Sequence, residues 1–97
     1  MARATRVFDR RVVRGDLTVQ RVIWQLPAPT SDRPHGLKYR LWCGRAGRTV
    51  VRYDNERGKG DHRHYGGREE IYPFASGARL VADFLEDVAR LTGWRVE

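Results

Sequence analysis

Two histidines separated by one residue lie near the middle of this 97-residue chain, in a segment that could not build a hydrophobic core. Positions 54–70 read DNERGKGDHRHYGGREE and contain two of the three histidines and four of the ten glycines. In an extended chain His62 and His64 point to the same side, and Asp61 and Arg63 point to the other. Imidazole takes up or releases a proton near cellular pH, so such a pair is a candidate acid and base.

The chemistry that this segment suits is cleavage of RNA by its own 2′-hydroxyl group. One imidazole would remove the 2′-hydroxyl proton, the other would protonate the leaving 5′ oxygen, and nearby cations would stabilise the charge on phosphorus. Glycines around the pair would let backbone amides approach a phosphate. We therefore predict a set of catalytic candidates in the segment: Asp54, Lys59, Asp61, His62 and His64.

Two other interpretations of the segment stay open. Glycine-rich polar segments are usually solvated loops, and the spacing of two histidines can be an accident of composition. Asp61, His62 and His64 could also ligate a metal ion, but a mononuclear site would need another ligand from Asp54 or from the glutamates at 69–70. The surrounding arginines oppose a bound dication, so the predicted chemistry is metal-independent and uses no cofactor.

A β-hairpin is predicted directly before the segment. Positions 37–43 and 48–53 alternate apolar and polar residues on either side of the turn GRAG. Leu37, Tyr39 and Leu41 begin the set that would face the core. The other set would form an exposed basic face, uninterrupted by acidic residues: Lys38, Arg40, Arg48 and Arg52 around Trp42 and Val50.

Such a face has two interpretations. An aromatic side chain among cations suits single-stranded RNA, whereas one solvated face is ordinary for an antiparallel sheet. With the arginines of the glycine-rich segment, the candidate nucleic-acid contacts are Lys38, Arg40, Trp42, Arg48, Arg52, Arg57, Arg63 and Arg68.

The remaining elements complete an α+β fold. Positions 5–13 are predicted as an exposed edge strand, and positions 17–26 as a strand with a β-bulge near Arg21, where the apolar alternation changes phase. Pro73 confines an extended piece at 69–74 to a sheet edge. A helix is predicted over 77–92, capped by Ser76 and Gly93. The predicted fold is a single domain, 1–97, with a four-stranded antiparallel sheet, or five-stranded if 69–74 joins, packed against one C-terminal amphipathic helix.

Composition and charge narrow the function classes. Residues 1–68 contain 16 lysines and arginines against 6 acidic residues, whereas residues 69–97 contain 3 against 6. A basic body makes a polyanionic partner plausible. The single cysteine, Cys43, excludes an internal disulfide and a cysteine-based zinc cluster. No signal peptide and no segment of membrane-spanning length is evident, so the protein is predicted to be cytoplasmic and free of the membrane.

The segments HGLKYRL, YDNERGKGDHRHYGGREEIYPF and LVADFLEDV together resemble the TumE-type family of small toxins of toxin–antitoxin systems. The resemblance extends from about Trp24 to Leu91. Within the central block, the residues that match the family are Asp54, Asn55, Lys59, Gly60, Asp61, His62, His64 and Glu70. It implies a helix-turn-helix antitoxin as partner and, by analogy with other small toxins, action on RNA.

Two function classes follow. The first is a metal-independent ribonuclease toxin with His62 and His64 as acid and base. The second is a non-catalytic module that binds nucleic acid or a partner through the basic face and the glycine-rich segment. The expected partners are RNA and a cognate antitoxin, and a homodimer stays open.

Overall fold

The computed structural model describes residues 3–97 and consists of one antiparallel sheet and one helix. Six strands follow one another in chain order across the sheet, and each pairs with the next. They are β1 (Thr5–Arg14), β2 (Leu17–Gln25), β3 (Leu37–Arg45), β4 (Arg48–Asp54), β5 (His62–Tyr65) and β6 (Arg68–Ile71), followed by α1 (Gly77–Thr92). The α+β class with one C-terminal helix is confirmed, but the predicted strand number of four or five is wrong.

The additional strands come from the glycine-rich segment itself. β5 pairs with β4, and β6 pairs with β5 at the sheet edge, so only 55–61 is irregular. A two-residue Gly66–Gly67 turn, with Gly66 at φ 58°, joins the two strands. Histidine, arginine and glutamate carry no apolar alternation, and the sequence therefore did not indicate a hairpin here. Of the extended piece expected at 69–74, residues 69–71 belong to the edge strand β6, whereas 72–74 form no strand.

The predicted β-bulge near Arg21 is also wrong. The register of β2 runs without interruption through Arg21 against both neighbouring strands, and the shift lies in β1, between Arg6 and Phe8. Arg21 is buried on the core side, where its guanidinium donates to the Glu97 carbonyl oxygen and lies over the Phe8 ring. A buried polar residue in a regular strand thus looked like a change of phase in the sequence.

Helix α1 covers one face of the sheet, over β3 and β4. Its predicted ends are confirmed: Ser76 accepts a hydrogen bond from the Arg79 amide, and Gly93 adopts φ 76° and donates to Ala89. Leu80 and Phe84 are fully buried against the strands. The core residues are Leu17, Val19, Ile23, Tyr39, Leu41, Cys43, Val51, Tyr53, Tyr72, Leu80, Phe84, Val88 and Trp94.

The hairpin turn between β3 and β4 determines which β4 side chains lie on the sheet face that α1 does not cover. Ala46 and Gly47 both have positive φ, which is typical of a two-residue type I′ turn. The register then shifts between Cys43 and Gly44, so that Thr49 lies opposite Gly44 and Val50 packs on the core.

Within residues 3–97, no helix is long and apolar enough to cross a membrane.

Candidate functional site

The sheet face opposite α1, here called the open face, carries most of the candidate side chains. Residues that lie directly opposite one another on antiparallel strands share a face. By this register the open face includes Trp24, Lys38, Arg40, Trp42, Thr49, Arg52, Asp54, His62, His64 and Glu69. The register therefore brings the histidine pair and the basic residues of β3 and β4 to one surface.

His62 and His64 form a cluster with two carboxylates. His64 Nε2 lies 3.7 Å from Asp54 Oδ1, and its Nδ1 lies 3.8 Å from Glu69 Oε2. The other Glu69 oxygen, Oε1, lies 3.8 Å from His62 Nε2. Both rings remain accessible, with 20% of the His62 side chain and 16% of the His64 side chain exposed. This histidine cluster is defined as His62, His64, Asp54 and Glu69.

The contacts of His62 define its neutral tautomer. Its Nδ1 lies 3.1 Å from the Gly60 carbonyl oxygen, which can only accept a hydrogen bond. Nδ1 therefore carries the proton, and Nε2 of the neutral ring presents a lone pair to the open face. His64 has a carboxylate near each ring nitrogen, so that its protonated ring would pair with both. His62 Nε2 also lies near Glu69, so each of the two rings has a carboxylate oxygen within 4 Å of a ring nitrogen.

Asp54 connects the histidine cluster to the basic residues. Its Oδ2 lies 2.9 Å from Arg52 Nε in an ion pair, and it lies opposite Arg40 on β3 and His62 on β5. The expectation that no acidic residue interrupts this face is wrong, because Asp54 and Glu69 both lie on it. Sequence reasoning considered Glu69 only as an additional ligand for the metal alternative, since its placement beside both histidines follows from the unpredicted pairing of β5 with β6.

The Trp42 ring lies over Gly44 on the open face, because glycine has no side chain there. A Cβ atom at Gly44 would lie 2.1 Å from two atoms of the Trp42 ring, so the ring occupies the space above this glycine. The indole Nε1 donates to Thr49 Oγ1 at 2.9 Å, which fixes the orientation of the ring. The partly exposed indole is a platform on which a nucleobase could stack.

Two adjoining pockets extend the open face away from the histidines. One, of 270 Å³, is lined by Trp24, Lys38, Tyr39, Arg40, Asp54, Asn55 and Glu56. The second, of 260 Å³, is lined by Arg6, Asp9, Gln20, Val22, Trp24 and Arg40. Both share Trp24, over whose ring the Lys38 ammonium lies at 5.0 Å. Trp24 and Glu56 were not singled out from the sequence, although an aromatic residue opposite a lysine is a signal that could have identified Trp24.

Asp61, a predicted catalytic residue, lies away from the histidine cluster. It accepts hydrogen bonds from the Tyr39 hydroxyl at 2.6 Å and from His35 Nε2 at 3.0 Å. His35 Nδ1 accepts from the Leu37 amide, so the proton of the neutral ring resides on Nε2 and points to Asp61. Burial and the bond to Asp61 raise the pKa of Tyr39 well above its ordinary value. The position of Asp61 is that of a structural anchor at the start of β5.

The irregular segment 55–61 is held by hydrogen bonds from outside it. Arg33 donates to the Asn55 carbonyl oxygen through Nε and Nη2, and the Asn55 side chain bonds the backbone of β3 at both its oxygen and its nitrogen. The Gly58 amide donates to Asp32. Lys59, another catalytic candidate, lies exposed in this segment, and its ammonium makes no hydrogen bond or ion pair with any residue of 3–97.

Four of the predicted nucleic-acid contacts do not lie on the open face. Arg48 lies opposite Arg45 at the hairpin end, on the helix side, and Arg57 lies in the irregular segment. Arg63 and Arg68 belong to the helix side of β5 and β6, and Arg63 lies on the side opposite His62 and His64, as an extended chain predicts. The contacts that the register does bring together are Lys38, Arg40, Trp42 and Arg52.

Arg63 instead belongs to a network beneath the helix. Its Nε donates to Glu70 at 2.6 Å, and its guanidinium lies over the rings of Tyr53, Tyr65 and Tyr72. Burial opposes the charge, but hydrogen bonds with Tyr53 and Glu70 outweigh it and raise the pKa of Arg63.

Asp87 of α1 joins that network to the helix by accepting from both the Tyr53 and the Tyr65 hydroxyls at 2.5 Å. Burial opposes ionisation of Asp87, yet the bonds from these tyrosines and from Arg90 lower the pKa of its carboxyl below the ordinary value. The network ties β4, β5 and α1 together on the side opposite the histidines.

The arrangement does not favour the metal alternative. Asp61 is bonded on the other side of the sheet from His62 and His64, so these three side chains do not converge. Across residues 3–97, no group of three or more histidine, cysteine, aspartate or glutamate side chains is arranged to hold a metal ion.

The fold and the site define a small α+β protein with paired histidines on a basic sheet face. Over residues 2–92 the chain matches the family model described as Toxin TumE, so it belongs to the TumE toxin family. This confirms the sequence resemblance, and membership indicates the toxin component of a toxin–antitoxin system and implies an antitoxin partner. No curated protein and no solved structure matches the chain.

Proposed function

We propose that the protein is a metal-independent ribonuclease toxin and that His62 and His64 perform the proton transfers. The observation that carries this proposal is their common placement on β5, accessible on the open face and next to the basic residues of β3 and β4. Residues two apart on a strand have Cα atoms about 7 Å apart. Two imidazoles at this spacing can reach the attacking and the leaving oxygen of one phosphate.

The proposed reaction assigns one role to each ring. His62, whose neutral Nε2 carries a lone pair, removes the proton of the 2′-hydroxyl as its oxygen bonds to phosphorus. Protonated His64, placed between Asp54 and Glu69, gives its proton to the 5′ oxygen as the P–O5′ bond breaks. The products are a 2′,3′-cyclic phosphate and a 5′-hydroxyl end, and proton exchange with water restores both rings.

The basic residues of the open face hold the RNA in this proposal. Arg52 lies opposite His64, and Arg40 lies one strand further away on the same side of β5, so in this proposal the two guanidinium groups contact phosphates on one side of the scissile bond. Trp42 supplies a stacking surface for one base. A cognate helix-turn-helix antitoxin would neutralise the toxin by covering this face, since one surface carries both binding and chemistry.

A non-catalytic binding module is the second candidate. The observation that favours it is that each His64 nitrogen already lies within 4 Å of a carboxylate, so that in this candidate these groups hold a binding surface rather than transfer protons. In that case the open face binds RNA or a partner without cleaving it.

Cleavage of a purified single-stranded RNA by the purified protein in the presence of a chelator separates the two candidates. We expect cyclic-phosphate ends, a bell-shaped pH profile and no requirement for a divalent ion. His62→Ala should abolish cleavage while RNA binding persists. Binding without cleavage in the wild type, at any pH and with or without divalent ions, supports the binding module.

Glu86→Gln is a matched control, because Glu86 is exposed on the helix side of the molecule and, among residues 3–97, pairs only with Arg95. Loss of cleavage in chelator with rescue by a divalent ion would contradict the metal-independent mechanism.

A further inference from the structure

The 270 Å³ pocket beside the histidine cluster suggests which base the toxin reads. Its lining includes two aromatic residues, Trp24 and Tyr39, two cations, Lys38 and Arg40, and two acidic residues, Asp54 and Glu56. Aromatic stacking with a few polar groups at the edge is the usual way in which proteins bind unpaired RNA bases. The pocket lies at the end of the open face, where β2, β3 and β4 meet the irregular segment 55–61.

We propose that this pocket binds guanine and that Glu56 is the residue that selects it. Guanine presents two adjacent donors on its Watson–Crick edge, N1–H and the exocyclic N2 amino group. One carboxylate can accept from both, whereas adenine, cytosine and uracil each place an acceptor beside their donor. The inference rests on the proposed ribonuclease function, because it names the substrate base of that site.

Glu56 is available for this role. Its carboxylate makes no hydrogen bond or ion pair with any residue that the structure describes, whereas the other carboxylate of the pocket, Asp54, is held by Arg52 and contacts His64. The backbone around Glu56 is fixed: its carbonyl oxygen accepts from the Lys59 amide, and Arg33 anchors the preceding residue. Because the backbone is already held, only the Glu56 side chain must be ordered when a base binds.

Trp24 and the two cations complete the site. The Lys38 ammonium lies over the Trp24 ring at 5.0 Å from its centre and covers this ring face. A base stacked there displaces Lys38, whose flexible stem lets the ammonium move to a phosphate.

Arg40 and Asp54 connect the pocket to the histidines. Arg40 on β3, which lines the pocket, and His62 on β5 are separated by one strand, which corresponds to about 10 Å, and Trp24 on β2 lies one strand further away. Asp54 lies between Arg40 and His62 and borders both the pocket and the histidine cluster. In this proposal the guanosine directs its 3′-phosphate toward the histidines, so cleavage is expected on the 3′ side of guanosine.

Binding of guanosine 3′-monophosphate tests the inference independently of catalysis. In a His62→Ala variant, NMR or tryptophan fluorescence titration should show tighter binding of this nucleotide than of the 3′-monophosphates of adenosine, cytidine and uridine. Glu56→Ala should weaken guanosine 3′-monophosphate binding about 5- to 150-fold, which is the range for a lost bidentate pair to a base.

Glu56→Gln gives the sharper test, because its amide offers one acceptor and one donor. That pair complements the amino group and N1 of adenine, so preference should move from guanosine toward adenosine 3′-monophosphate. Glu86→Gln serves as the control and should leave nucleotide preference unchanged.

The outcomes distinguish this inference from the proposed function. RNA cleavage that shows no preference for guanosine, or whose preference survives Glu56→Ala, overturns the guanine pocket and leaves the ribonuclease standing. Selective guanosine 3′-monophosphate binding without any RNA cleavage overturns the ribonuclease and leaves the pocket standing. Equal binding of all four mononucleotides also overturns the guanine pocket.

Discussion

Gly44→Ala should displace Trp42 and weaken RNA binding without removing any group that could touch RNA. The new Cβ atom would lie 2.1 Å from two ring atoms, whereas 3.0 Å is the shortest approach that real Cβ atoms show. The indole must therefore shift by roughly 1 Å or rotate away, because two strands fix the backbone below it. Gly44 has no positive φ, so backbone strain does not contribute.

The expected losses of stability and of RNA affinity follow from the two interactions that the displaced indole no longer makes. The hydrogen bond from the indole to Thr49 is worth about 1 kcal/mol of folding free energy, which lowers the melting temperature of a domain this size by about 4–8 °C. Stacking of a base on an aromatic ring is worth about 1–3 kcal/mol, so RNA affinity should fall about 5- to 150-fold.

The assay is fluorescence anisotropy of a short labelled single-stranded RNA, with His62→Ala present in every variant to prevent cleavage. Trp42→Ala should reproduce the loss of affinity. Gly67→Ala is the matched control, since its Cβ would meet nothing within 4 Å and its φ is not positive. If near-ultraviolet circular dichroism shows that Gly44→Ala moves the indole while RNA affinity stays the same, Trp42 is not a stacking platform.

Three further predictions address charge, core and pH. Arg40→Gln should weaken RNA binding and reduce the slope of log affinity against log salt by about 0.7, the value for one phosphate contact to a single strand; an unchanged slope would show that Arg40 touches no phosphate. Phe84→Ala, at a fully buried position of α1, should cost about 3–5 kcal/mol and lower the melting temperature by more than about 10 °C, measured by circular dichroism; a smaller effect would mean that the helix is not needed for the core. Asp87 has a folded-state pKa below its ordinary 3.8, so its stabilising effect is complete above that pH and is lost as pH falls through the folded-state pKa; urea midpoints should therefore drop more steeply below about pH 4 in the wild type than in Asp87→Asn, and equal slopes would contradict this.

Elements with a clear hydrophobic period were predictable from the sequence. The alternation at 37–53 and the helical spacing at 77–92, with Ser76 and Gly93 at its ends, gave the central hairpin and α1. Both patterns arise because one face of each element is buried against the other. The common direction of His62 and His64 was predictable for a similar reason, as it needs only an extended chain.

Features that depend on pairing could not be predicted in this way. The β5–β6 hairpin contains mainly charged residues, and its apolar contacts come from single residues such as Tyr65. One bulged residue, Val50, reassigns Arg48 from the open face to the helix side. Asp54 and Glu69 approach His64 from two different strands, and a contact of this kind follows from register rather than from spacing in one segment.

The central claim is that the histidine pair serves function and not folding. The most direct measurement compares His62→Ala/His64→Ala with the wild type in two respects: toxicity on induction in cells, with RNA ends mapped, and the melting temperature of the purified protein. Because both rings are partly exposed and their carboxylate contacts are 3.7–3.8 Å long, the main loss is the hydrogen bond from His62 to the Gly60 carbonyl oxygen. The variant should therefore be folded, with a melting temperature lowered by no more than about 4–8 °C, non-toxic and unable to cleave RNA. A variant that stays folded and remains fully toxic would contradict the account, and one that unfolds early would show that the two side chains are structural.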